Sequence, residues 1–155
     1  MEFDLWDMVL PDGFSSRVLK AEILRTNQQS GEYGLLLTEK DVDMLLATNR
    51  DSLQNQQRIE IGESILIKLI EKFMRSQFLS QSDYGETLAT LLDIFYEAKE
   101  ESNDILTDDE VLDMMFYYFE EVSCGSIELL QTRDMDSMCR SIRDGSLRLE
   151  DEEEY

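Results

Sequence analysis

The chain contains no histidine. Without one, Ser-His-Asp and Cys-His nucleophile arrangements, carboxylate-bridged di-iron bundles with Glu-x-x-His pairs and nearly all catalytic zinc sites are excluded. Cysteine is almost as scarce: Cys124 and Cys139 make no disulfide framework and lack the close C-x-x-C spacing of a zinc or redox site. A single proline, Pro11, leaves few enforced breaks, and the one tryptophan, Trp6, stands near the N-terminus. Basic residues are few. Fourteen Lys and Arg against 35 Asp and Glu give a formal charge of −21 and a pI near 4.1. A field of that sign repels phosphates and anionic lipid and favours basic partners, so direct nucleic-acid or membrane binding is not expected. No apolar run approaches the ~18 residues of a membrane span. The opening MEFDLWDMVLP carries acids where a signal peptide carries basic residues. These absences predict a reduced, cytoplasmic, soluble protein without cofactor or metal, and not an enzyme.

What is present is helical periodicity. The 155 residues are 42% hydrophobic, enough for one domain with a real core. In Asp83–Ser102, Tyr84, Leu88, Leu91, Phe95 and Ala98 recur at alternating spacings of four and three, the mark of one helix face. Leu92 and Ile94 widen that face, while Glu86, Thr90, Asp93, Glu97 and Glu100 fall opposite. So wide an apolar arc requires several neighbours, which predicts a central helix of a bundle.

The other elements follow in order. Trp6 is expected to pack an irregular arm onto the body, and Pro11-Asp12-Gly13 is turn chemistry. A helix is predicted from about Ser15 to Gln29, with Val18, Leu19, Ala21 and Ile23 inward and Gly31 to stop it. Leu37-Thr38-Glu39-Lys40-Asp41-Val42 and Leu106-Thr107-Asp108-Asp109-Glu110-Val111 share one construction. A threonine caps the free N–H groups and the flanking apolar residues form a staple; Thr107 with Glu110 makes a full capping box. The first of these helices runs to about Leu53 with Val42, Leu45, Leu46 and Leu53 inward, and the second to about Ser123. Arg58-Ile59-Glu60-Ile61 alternates like a short strand or an extended crossing. Beyond it Ile65, Leu66, Leu69, Ile70 and Phe73 form one helix face. Ser82 or Asp83 is placed to cap the central helix. Two short helices, Ile127–Gln131 and Met135–Arg143, follow Cys124-Gly125-Ser126, the last ending at Gly145. The prediction is a single all-α domain, 1–149, of six or seven helices, with an acidic tail at 150–155.

Four groupings bear on function. Lys68, Lys72 and Arg75 are the one cationic strip; they either hold a phosphate or acidic partner, or lie against an acidic face such as Asp93, Glu97 and Glu100, and self-repulsion favours the second. The rows Asp93/Glu97/Glu100, Asp108/Asp109/Glu110 and Asp134/Asp136 lack the D-x-[DN]-x-[DN]-G calcium pattern and read as solvated faces and first-turn capping. Met114–Phe119 is the densest Met and aromatic run. Helical spacing sends Met115, Phe119 and Val122 inward beside Leu112 and Phe116, while Tyr117 and Tyr118 point apart. Finally, Cys124 has no histidine to act as its base, and Lys99, on the apolar face of the central helix, is placed to snorkel or meet an acid.

Taken together, GLLLTEKDVDMLL, IEIGESILIKLIEKF, YGETLATLLDIFYEAKEE, LTDDEVLDMMFYYFEE and CGSIELL resemble a family of small acidic Firmicutes proteins, a domain of unknown function, over about Leu35 to Leu130. The resemblance implies a bacterial cytoplasmic protein and no catalytic residue. The expected role is a non-enzymatic interaction module, with a protein partner or a second copy meeting Met114, Tyr117, Tyr118 and Glu121. Mimicry of DNA toward a basic protein is the second reading, resting on charge. A carboxylate enzyme is the third.

Overall fold

The structure, a computed structural model, describes residues 12–60 and 64–145; for residues 12–16 and Asp134 it describes the backbone alone. The readings of Trp6, of Ile61 and of the tail at 150–155 lie outside the described residues. Six helices account for most of the rest: α1 (Asp12–Arg25), α2 (Glu39–Asn55), α3 (Ile65–Phe73), α4 (Tyr84–Glu101), α5 (108–122) and α6 (127–143). A one-turn helix, Asn27–Ser30, follows α1. No strand occurs among the described residues, so the domain is all-α.

α4 holds the centre, packing against α2, α3, α5 and α6. Tyr84, Leu88, Leu91, Leu92, Ile94, Phe95 and Ala98 are all buried, as the spacing predicts, while Glu86, Asp93, Glu97 and Glu100 are exposed. Each fully buried large apolar side chain contributes about 1.5–3 kcal/mol. α3 buries Ile65, Leu66, Leu69, Ile70 and Phe73 as read. Phe73 stands edge-on to both Phe116 and Phe119, at centroid distances of 5.4 and 5.7 Å, tying α3 to α5.

Both threonine caps form. Thr38 accepts from Asp41 N and Thr107 from Glu110 N, and each acid returns a bond to the cap residue's N–H, so both are full capping boxes. The staple residues Leu37, Val42, Leu106 and Val111 are buried. Asp83 sits at the N-cap of α4 without a side-chain cap bond, and a 3-10 turn, Gln81–Asp83, leads in.

Packing moves several other boundaries. α1 begins at Asp12, taking Asp12 and Gly13 out of the expected turn, and ends at Arg25. Ile23 is buried and Leu19 partly so, but Val18 and Ala21 face solvent. Gly34, at φ +79°, ends the following turns; Gly31 is helical, at φ −60°. Only glycine takes the left-handed region without strain, which is why the stop falls there. The two expected C-terminal helices are one rod. A π turn, Leu130–Met135, joins Ile127–Leu129 to Asp136–Arg143, and its extra residue brings Leu130 and Met135, five apart, onto the face shared by Cys139 and Ile142. Gly145, at φ +78°, closes it as expected.

Candidate functional site

The cationic strip is a seam between helices. Lys68 Nζ lies 3.2 Å from Asp109 Oδ1 and Lys72 Nζ 2.5 Å from Asp113 Oδ1, with Lys72 also 5.8 Å from the centre of the Phe116 ring. The acids therefore belong to α5, and the expected face of Asp93, Glu97 and Glu100 on α4 is not the one used. Glu97 instead accepts from Gln131 Nε2 at 3.2 Å. Arg75 is exposed, without an ion pair among the described residues. Exposed pairs of this kind stabilise by about 0–1 kcal/mol each.

The Met and aromatic run is reshaped by a π turn at Tyr118–Val122, closed by Ser123 N donating to Tyr118 O at 2.7 Å. Met115 and Phe119 are buried, but Val122, expected inward, is 40% exposed because the wider turn carries it past the core face. Tyr117, just before the turn, is 57% exposed, and Glu121 within it is exposed as well. Tyr117 and Tyr118 do not point apart: their rings meet edge-on at 5.4 Å. Met114 is half-buried against the core. Glu120 Oε1 in this turn and Ser123 Oγ just after it are shut from solvent without a hydrogen-bond partner among the described residues.

A second feature escaped the sequence reading. An open cleft of about 370 Å³ lies where the C-terminal half of α4 meets the segment after α2. Leu53, Ile65 and Phe95 supply apolar wall; Arg58, Glu60, Lys99 and Asp108 supply charge. Arg58 is held by Asp104 in a two-pronged pair, at 3.0 and 2.7 Å, and by Gln56 Oε1 at 2.6 Å. Lys99 donates to Asp108 Oδ1 and to Leu106 O, both at 2.9 Å, so it meets an acid as expected. Beneath the cleft, Tyr96 OH donates to Asn49 Oδ1 at 2.7 Å, both residues buried.

Glu60 differs from its neighbours. Its carboxylate accepts from Ile65 N at 3.1 Å but has no ion pair among the described residues. Burial pushes its pKa up, and the negative charge of Asp108 adds to the rise, against the lowering effect of the Ile65 N–H and the Asn49 amide. Arg58 and Glu60 are half-buried while Ile59 between them is 50% exposed, the reverse of what composition suggests. Alternation was visible in this stretch; over residues 58–60 the strand alternative is not realised and the chain runs irregularly, and which side faced the protein was not legible. Among the described residues, non-glycine positive φ occurs at Gln57, Asn103, Asp104 and Cys124; Gln57 directly precedes Arg58, and Asp104 holds the Arg58 guanidinium.

Cys124 is exposed, whereas Cys139 is buried with its thiol pushed up to about 11, which keeps it protonated. No three acids or cysteines gather as a metal site among the described residues. No described helix is long and apolar enough to cross a membrane.

The fold and these surfaces define an all-α domain carrying an exposed aromatic turn and a separate polar cleft. The chain belongs to a family of unknown function, DUF6323, whose pattern it matches over residues 22–148. That span is wider at both ends than the resemblance over Leu35 to Leu130, and takes in α6. No curated protein and no solved structure matches it.

Proposed function

We propose that this domain is a non-enzymatic interaction module of the bacterial cytoplasm that binds a basic segment of a protein partner on the π turn of α5. The observation that carries the reading is the joint exposure of Tyr117 and Val122, large apolar side chains at either end of the π turn. A π turn is a costly geometry that recurs at functional sites, and the unpartnered Glu120 Oε1 within this one and Ser123 Oγ at its end add to the cost. Aromatic side chains with a polar tip suit such a contact. Glu121 and Glu128 are exposed without ion pairs among the described residues, and the whole chain carries −21. That field steers a basic partner inward and repels a second copy, so a heterologous partner is favoured over a homodimer. DNA mimicry has less support, because Lys20, Arg58, Lys68 and Lys72 interrupt the acids they pair with.

The test is affinity capture from the lysate of the organism that makes the protein, comparing the native chain with Tyr117→Ser/Val122→Ser. A basic protein retained by the native chain, released by salt and lost with the double variant supports the reading. The same proteins on both columns refute it. Light scattering that shows a native dimer and a monomeric variant assigns the surface to self-association instead.

A further inference from the structure

The cleft beside α4 has its own chemistry, independent of the α5 surface. Its two cations are satisfied within the molecule: Arg58 by Asp104, and Lys99 by Asp108. Its remaining carboxylate, Glu60, is not matched by any described cation. The unbalanced charge at the wall is therefore negative, although basic residues line the same space. We infer that the cleft binds a small organic cation, an ammonium group on a short apolar body, with Glu60 as the counter-charge and Leu53, Ile65 and Phe95 as the apolar wall.

Three observations converge on this. The volume, about 370 Å³, lies within the size range of small-molecule sites. The walls are mainly polar with apolar side chains beside them, and Ile65 N and Asn49 hydrogen-bond to the Glu60 carboxylate and fix it. Left-handed backbone flanks the lining, since Gln57 precedes Arg58 in the chain and Asp104, itself at positive φ, fixes the Arg58 side chain. Burial raises the pKa of Glu60 and the nearby Asp108 charge adds to it, so a cation placed against the carboxylate relieves a negative charge that is poorly solvated. Tyr96, whose pKa is raised by burial and by the Glu60 and Asp108 charges, stays a neutral phenol and leaves the charge balance unchanged.

The experiment titrates the full chain at low ionic strength with n-butylammonium chloride, with butanol and sodium butyrate as neutral and anionic counterparts. Calorimetry reads the affinity, and the NMR shift of the Ile65 backbone amide reads the location. The expected result is a saturable, one-to-one response to the amine alone, weakened about tenfold or more in Glu60→Gln and unchanged in Glu86→Gln, a solvent-facing acid on the first turn of α4. In the native chain the same affinity falls as pH is lowered and Glu60 takes up its proton, a readout that needs no variant. An equal response to butyrate or butanol, an equal loss in Glu86→Gln, or an affinity indifferent to Glu60→Gln and to pH overturns the inference.

Discussion

At the residue scale the buried polar groups decide more than the numerous surface acids. Tyr96 OH and Asn49 Oδ1, at 2.7 Å, form the one buried side-chain pair that links α2 to α4 by a hydrogen bond among the described residues. Tyr96→Phe leaves the Asn49 oxygen without its donor, and a loss of about 1–2 kcal/mol is expected, read as a lower urea midpoint with unchanged slope. Glu60 acts in the opposite sense. A carboxyl whose folded pKa is raised holds its proton more tightly in the native state, so the stability it contributes declines as pH climbs from its unfolded value through its folded value. Glu60→Gln removes that decline. Its melting temperature is expected to exceed that of the native chain at neutral pH and to match it in acid, and a variant less stable at neutral pH would contradict the assigned cause. Asp104, lowered by Arg58, has the reverse dependence, muted by its exposure.

At the scale of elements, close approach and turn register carry the architecture. The first turns of α2 and α4 meet at Gly85, where an added Cβ would fall 2.7 Å from Asp41 Oδ1. Asp41 cannot swing away freely, because its other oxygen accepts from Thr38 N at 3.0 Å within the capping box. Gly85→Ala is therefore expected to destabilise by about 1–3 kcal/mol despite the better helix propensity of alanine, and chemical denaturation decides it. The capping boxes and the stripe of α4 were legible in the sequence because each depends on residues a few positions apart. The π turns were not. Nothing in Tyr118–Val122 or Leu130–Met135 contains glycine or proline to announce a break; the extra residue is absorbed because α5 and α6 pack on each other and on α4, and register there is set by the facing helix.

At the scale of the whole molecule, charge outweighs any single contact. A net −21 on 155 residues opposes its own compaction. Screening within ~10 Å at about 0.1 M salt relieves that repulsion at little cost to the exposed ion pairs. Melting temperature is accordingly expected to rise between low and near-physiological sodium chloride, while affinity for a basic partner falls over the same range; a melting temperature that drops with salt would show that ion pairs outweigh repulsion. The sequence by itself determined the helical class, the central place of 84–101, the caps and the sign of the field, since these rest on spacing within a helix turn and on composition. Only the tertiary structure decided which acids meet Lys68 and Lys72, that Val122 faces out, and that Glu60 lies at the wall of a cleft. Those features join residues tens of positions apart, and their geometry exists only once the helices have packed.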